Sequence, residues 1–300
     1  MKKAKIKQLV VVSGKGGTGK TVITAAFAVL ADNKVMADTD VDAADLHILL
    51  HPKIVKKQEF RAGKTAKIIE DKCIKCGKCL TACRFEAVQV LKKGSDAGKF
   101  VIDPVSCEGC AFCYHICPVQ AVNMEDNLSG EWYISDTKYG PFVHAKLGIA
   151  EENSGKLVTI VRENAKKVAE EKGCDLIIID GPPGIGCPVI ASISGVDGVL
   201  IVTEPTLSGK HDMARVAELA RHFNMKTFAA VNKYDLNPEI SDDIEAYCSE
   251  KNIIFAGRVP FDPVVAKALV NRKSIIEYSD GMVTTQIKGI WENVKKELDK

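Results

Sequence analysis

The sequence predicts an α/β fold with a mostly parallel sheet, interrupted by a small inserted α+β domain. Three observations predict it. The short apolar run Leu9–Val12 leads into a glycine-rich loop and then an Ala-rich helical pattern. After residue 150, near-continuous apolar runs alternate with helix-length segments, as strands covered on both faces require. Between these parts, from about Ile68 to Asn123, the alternation breaks and cysteines dominate. The expected division is 1–67 and 125–300 for the α/β domain and 68–124 for the insertion.

The elements follow in order. Leu9–Val12 is too short for a signal-peptide core or a membrane span and reads as a buried strand. The helical pattern runs to about Ala31, and Val35–Ala37 forms a second strand ending in Asp38-Thr39-Asp40. The chain enters the insertion within Leu46–Lys67. Beyond it, Leu157–Lys172 has helical spacing, and Ser154, after the polar stretch from Glu151, is a plausible cap. That polarity also suits a partner or substrate site. Leu176–Ile179, Val199–Val202, Thr227–Val231 and Ile253–Val259 read as strands, and Asp212–His222 and Ile240–Lys251 as helices. At the end of the chain Val283, Ile287, Ile290, Trp291, Val294 and Leu298 share one helical stripe, as for a helix packed on the sheet.

Lys plus Arg (41) nearly balances Asp plus Glu (39), so no global field points to nucleic acid or an anionic membrane. Neither partner is expected, and the reading is a cytoplasmic protein. Of eleven cysteines, eight lie between Cys73 and Cys117. In such a chain that cluster suggests metal before disulfides. Cys174 and Cys248 read as packing residues. Cys187, in Gly186-Cys187-Pro188, reads as a buried small residue at a helix start, with a transient redox or ligand role as the alternative.

Gly14-Lys15-Gly16-Gly17-Thr18-Gly19-Lys20-Thr21 has the spacing of a phosphate-binding loop between a strand and a helix. Its glycines turn backbone N–H groups inward, and the helix presents its positive end to the same anion. Lys20 then neutralises β/γ-phosphate charge and the Thr21 hydroxyl ligates Mg²⁺. Asp180 ends the apolar strand from Leu176, where it would hold Mg²⁺ through water.

Cys73, Cys76, Cys79 and Cys83 are spaced C-x₂-C-x₂-C-x₃-C, as are Cys107, Cys110, Cys113 and Cys117. Three closely spaced thiolates cap one face of a cubane, and the fourth, expected to start a helix leading away, ligates the other cluster. Cys73, Cys76, Cys79 and Cys117 are thus assigned to one [4Fe–4S] cluster, and Cys107, Cys110, Cys113 and Cys83 to the other. Structural zinc favours two separated pairs and has no need of the third cysteine. Arg84 follows the first motif where proline follows the second.

With Lys15 present, the loop resembles the deviant Walker A loop of the MinD/ParA and nitrogenase iron-protein group. The whole chain resembles MinD-superfamily P-loop ATPases with an inserted bacterial-ferredoxin-like domain. The resemblance implies ATP/ADP and Mg as ligands and slow hydrolysis. It implies an ATP-dependent homodimer in which Lys15 reaches the partner's nucleotide. It implies that Asp40 orients the attacking water, with Asp38 in support. Gly181–Gly186 corresponds to a γ-phosphate-sensing switch, and Asn232 and Pro260 lie in adenine-recognition loops. Three functions are compatible: electron transfer gated by ATP with an unidentified redox partner, iron–sulfur assembly or delivery, and positioning with a redox sensor. Two full-cysteine clusters, expected to be buried, favour electron transfer. An amidating ligase would need a glutaminase domain, for which no room is apparent. The family's terminal amphipathic helices that grip membranes are the alternative for the C-terminal stripe.

Overall fold

Strands form where the apolar runs stand and helices where the apolar spacing lengthens to three and four. The computed structural model describes residues 5–148 and 154–300. In chain order the elements are β1 (Lys7–Ser13), α1 (Lys20–Leu30), β2 (Lys34–Asp38), α2 (Leu46–Leu50), β3 (Lys53–Ile68), α3 (Lys78–Ala82), β4 (Val88–Val90), β5 (Phe100–Ile102), α4 (Phe112–Ile116), β6 (Val122–Thr137) and β7 (Gly140–Leu147). They continue with α5 (Ser154–Lys172), β8 (Leu176–Pro183), α6 (Cys187–Ile193), β9 (Gly198–Thr203), α7 (Leu207–His222), β10 (Lys226–Asn232), α8 (Pro238–Glu250), β11 (Ile254–Val259), α9 (Pro263–Val270), α10 (Ile275–Tyr278) and α11 (Met282–Leu298). Ser154, expected as the cap, is the first residue of α5, and the polar residues Glu151–Asn153 before it lie outside the described residues.

A nine-stranded sheet has the order β11-β10-β9-β1-β8-β2-β7-β6-β3. Every pairing from β11 across to β7 is parallel. Successive strands therefore end on one side, and the carboxyl ends around β1, where the order reverses, form the crevice in which such sheets bind ligands. In register, Val11 sits beside Asp180 and Asp38 beside Asp180. The loop after β1 and the two carboxylates after β8 and β2 thus share one edge.

The chain separates into two compact units. One takes Met1–Gln58, Glu131–Leu147 and Ser154–Lys300, and the other Glu59–Gly130 and Gly148–Asn153. Strands β3 and β6, sixteen residues each, are divided between them in sequence. In the first unit the α11 stripe is buried, with Trp291 3% exposed and its ring 4.9 Å from Phe27. The stripe belongs to the core, and truncating Trp291 to alanine there costs about 3–5 kcal/mol. No helix among the described residues is long and apolar enough to cross a membrane. In the second unit the Ser129 hydroxyl donates to Ala62 O at 2.7 Å and Ile69 N to Ala121 O at 2.7 Å. The hairpin β4–β5 pairs antiparallel.

Candidate functional site

The first unit collects its charges at the carboxyl ends of β1, β2 and β8. Gly19 caps α1 with φ 91°, a left-handed conformation, and no side chain caps the helix N-terminus. Its first N–H groups are left facing the loop, as an anion requires. Two glycines are fixed by close approach. A Cβ on Gly19 would lie 2.3 Å from Asn232 Nδ2, and one on Gly14 2.3 Å from Asp212 Cβ. Thr18 Oγ1 is buried without a hydrogen-bond partner. A buried orphan hydroxyl is costly unless a ligand satisfies it, and a phosphate oxygen is the acceptor this loop suits.

Lys20 Nζ lies 2.9 Å from Asp40 Oδ2, 3.4 Å from Asp180 Oδ1 and 3.4 Å from Thr21 Oγ1. Burial opposes its charge, but Asp180 and Asp40 outweigh burial and hold the ammonium above its ordinary range. Asp38 is fully buried. Its Oδ1 accepts from Asp40 N at 3.0 Å and its Oδ2 from Leu46 N at 3.3 Å. Burial, then the charge of Asp180, pushes its pKa well up despite Lys20. Asp40 is raised less, by burial against the pull of Lys20. Thr24, which no sequence signal singled out, donates to Asp180 Oδ1 at 3.0 Å. The Thr39 hydroxyl donates to Asp180 O at 2.9 Å. Thr21, Asp180, Asp38 and Asp40 together offer the oxygen donors that Mg²⁺ takes alongside phosphates.

Lys15 is neither free in solvent nor part of this cluster. Its Nζ stands 3.6 Å from Glu204 Oε2 and 3.5 Å from Ser208 Oγ. Glu204 Oε1 accepts from Lys233 Nζ at 2.6 Å. Glu204 directly follows β9, and a carboxylate just past the end of a buried parallel strand is the signal that would have found it. Gly17, Gly19, Asn232, Pro260 and Phe261 line a cavity of about 370 Å³. Asn232 Nδ2 donates to Thr18 O at 2.8 Å, and Asp235 Oδ1 accepts from Phe261 N at 2.6 Å, tying the lip of the cavity. Gly181–Gly186 runs from the end of β8 to the start of α6, and Cys187 there is exposed rather than buried.

The second unit brings its eight cysteines around two hollows. One, of about 470 Å³, is lined by Cys83, Cys107, Cys110 and Cys113. The other, tighter at about 20 Å³, is lined by Cys73, Cys76, Cys79 and Cys117. Each hollow takes three thiols from one motif and the fourth from the other. Four cysteine donors around each are the set that a [4Fe–4S] cluster takes, so the residues fit the group, and the tighter loop must open around it. One expectation is corrected. The fourth cysteines do not start helices: Cys83 caps the end of α3 and Cys117 the end of α4, so one short helix turn swings each across to the other hollow. Cys76 and Cys110 are exposed and the other six partly so. Ala121 N donates to Cys117 Sγ at 3.2 Å. The two loops also share a backbone. Lys75 (φ 56°) and Gly77 (φ 76°) in the first correspond to Gly109 (φ 62°) and Ala111 (φ 61°) in the second, all left-handed.

Comparison with known proteins agrees with this geometry. Residues 66–124 match the family described as a 4Fe-4S dicluster domain. The chain is 34% identical over 295 residues to the uncharacterized protein MJ0578 of Methanocaldococcus jannaschii, covering 97% of both. It is 24% identical over 139 residues to the cytosolic Fe-S cluster assembly factor NBP35 of Eremothecium gossypii, covering 40% of this chain and 42% of that protein. Its fold is similar to the septum site-determining protein MinD complexed with Mg-ADP from Pyrococcus horikoshii OT3, with a TM-score of 0.58, 16% identity and 97% of each chain covered. The chain belongs to the family of the Methanocaldococcus protein; its own fold is MinD/ParA-like, and it carries a 4Fe-4S dicluster domain at residues 66–124.

Proposed function

We propose that this protein binds and slowly hydrolyses Mg·ATP and couples nucleotide state to electron transfer through two [4Fe–4S] clusters. The crossed lining of the two cysteine hollows carries the reading, because shared ligand loops hold two redox centres close together in one unit. When bound, the clusters would supply one-electron storage.

In the nucleotide crevice, Lys20 leaves its carboxylates to neutralise the β/γ-phosphates, and Asp180 and Thr21 would hold Mg²⁺. Asp40, released from Lys20, orients the attacking water. Asn232 and the Pro260–Phe261 lip receive the base. Lys15, once off Glu204, completes the partner's site in an ATP-dependent homodimer.

Anaerobic analysis should find about eight iron and eight sulfide per chain, as two four-iron cubanes require. The crossing has its own test. Cys83→Ser should alter the electron paramagnetic resonance signal of the cluster held by Cys107, Cys110 and Cys113, while Cys79→Ser alters the other. If both substitutions perturb one and the same signal, the ligand assignment is wrong.

A second reading, cluster assembly or delivery, is favoured by the exposure of Cys76 and Cys110 and by the partial likeness to the assembly factor. Transfer of intact clusters to an apo-acceptor faster than free iron and sulfide rebuild them would establish it over electron transfer.

A further inference from the structure

We infer that the loop around Cys73, Cys76 and Cys79 is the docking face for an acidic one-electron carrier protein; the inference rests on the electron-transfer reading. Superposing the two motifs by their cysteines pairs Lys72 with Ser106, Lys75 with Gly109 and Lys78 with Phe112. Three cations thus ring the first loop where its sister has none. All three are exposed, as is Cys76 between them. Elsewhere in the unit Lys64, Lys67 and Lys99 each pair with a carboxylate, whereas Lys92 and Lys93, between β4 and β5, enter no ion pair among the described residues. Lys72, Lys75 and Lys78 enter no ion pair among the described residues, nor does Asp71, the neighbour of Lys72 in sequence, while Glu70 pairs with Lys99.

The backbone adds a second observation. Lys75 has φ 56°, where the sister loop uses Gly109. Gly109 is required, since a Cβ would lie 2.1 Å from Lys64 O. No such contact constrains position 75, yet a side chain in this left-handed region is mildly strained. Strain kept for an unpaired surface lysine points to a use outside the fold. A groove of about 260 Å³, reaching Cys73 and flanked by Lys75 and Lys99, opens beside the ring. Positive potential around a redox site steers an acidic partner and sets its orientation. The exchange moves one electron, lost by one centre and gained by the other, with no bond made and no proton transferred.

The test uses the full, cluster-loaded protein and an oxidised acidic ferredoxin as probe. Zero-length carbodiimide coupling should join ferredoxin carboxylates to Lys72, Lys75 and Lys78. The triple change Lys72→Glu, Lys75→Glu, Lys78→Glu should raise the Kd at least tenfold at low salt and flatten its salt dependence. Lys75→Gly, which restores the sister loop's residue and relieves the strain, should weaken binding several-fold with iron and sulfide content unchanged. It keeps the test decisive if the triple variant loses its cluster. Couplings confined to other lysines, or an unchanged Kd in Lys75→Gly, overturn the inference. So does a shift of cluster potential with no change in binding, which would make the lysines tuning groups only. A mediated redox titration stands apart: absence of reversible one-electron reduction defeats the electron-transfer reading itself, whatever the binding shows.

Discussion

Lys20 Nζ donates to Asp40 Oδ2 at 2.9 Å, so the lysine that should neutralise phosphate is held by the carboxylate that should orient water. ATP must break that pair, and doing so leaves Asp38, Asp40 and Asp180 facing one another without a cation. Mg²⁺ held by Asp180 and Thr21 would restore the balance. Mg·ATP should therefore bind at least tenfold more tightly than ATP with chelator present, by isothermal calorimetry. Asp40→Asn should narrow that gap while lowering turnover by on the order of 10²-fold or more, the usual weight of a lost base or positioning group. Lys20→Ala should abolish tight binding. It should also destabilise the fold by about 3–5 kcal/mol, because it strands buried carboxylates. Equal ATP affinity for wild type and Lys20→Ala would remove the crevice from consideration.

The same cluster predicts a pH dependence. Asp38 and Asp40 have folded-state pKa values raised above the ordinary carboxylate range, by burial in both. Their contribution to stability is complete below about pH 4, the unfolded value, and is lost as pH rises through the raised folded values. Lys20 is also raised, so its own contribution is lost only in strongly alkaline solution. Between about pH 4 and 6.5 the buried His144, held down to about 4, pulls the other way, so the aspartate contribution is the difference between wild type and a variant lacking one of them. Asp38→Asn, which cannot ionise, should flatten that part of the dependence. Urea unfolding at several pH values in this range, on both proteins, reads it. Parallel curves for wild type and variant would contradict the account.

Much of this was legible in the sequence, for identifiable reasons. Ile177–Ile179 and Val199–Val202 are buried on both faces and so appear as unbroken apolar runs. The phosphate loop and cysteine motifs are legible because ligand chemistry fixes their spacing. Strands β3 and β6 were not legible. In β3 only Phe60, Ala62 and Ala66 are buried, and the remainder, rich in lysine, presents no period-two pattern. Helix α7 begins at Leu207, five residues before the expected start, because Thr206 caps it by accepting from Gly209 N and its first turn is polar. Thr24 and Glu204 were missed because one is an unremarkable helix residue and the other a single acid, and only the fold brings them to Asp180 and Lys15.

Glu204 leads to a third prediction. Its carboxylate faces Lys15 at 3.6 Å and Lys233 at 2.6 Å, so the lysine meant for the partner's nucleotide is engaged within its own chain. Dimerisation must break this contact. Glu204→Gln should let the ATP-bound dimer form at several-fold lower protein concentration, whereas Lys15→Ala should remain monomeric with ATP. Light scattering in an Asp40→Ala background, where hydrolysis is blocked, separates the two. A mass that ignores nucleotide in all three proteins would defeat the dimer proposal. A Glu204→Gln protein indistinguishable from its parent would defeat the restraint.

The last prediction concerns coupling between nucleotide and clusters. Asp40 lies two residues beyond β2, and the chain passes from there through α2 into β3, which ends five residues before Cys73. After β6 and β7 it returns to α5 and β8, which carries Asp180. Asp40 is therefore joined in sequence to the cysteine unit through α2 and β3. ATP shifts such a system only through different affinity for its two states. Linkage then demands symmetry: if ATP moves a cluster's reduction equilibrium by some factor, reduction moves ATP affinity by the same factor. A tenfold effect corresponds to about 59 mV for a one-electron couple. Two independent measurements must agree. One is the potential of each cluster with and without Mg·ATP, and the other is ATP affinity of fully oxidised and fully reduced protein. The cluster with Cys83 as its fourth ligand should move with the larger amplitude, because its hollow is wider and Arg84 lines it, leaving more room for rearrangement. Unmoved potentials together with equal affinities would rule out thermodynamic coupling. Nucleotide control would then have to act on rate alone, as an ATP-dependent change in electron transfer to the carrier.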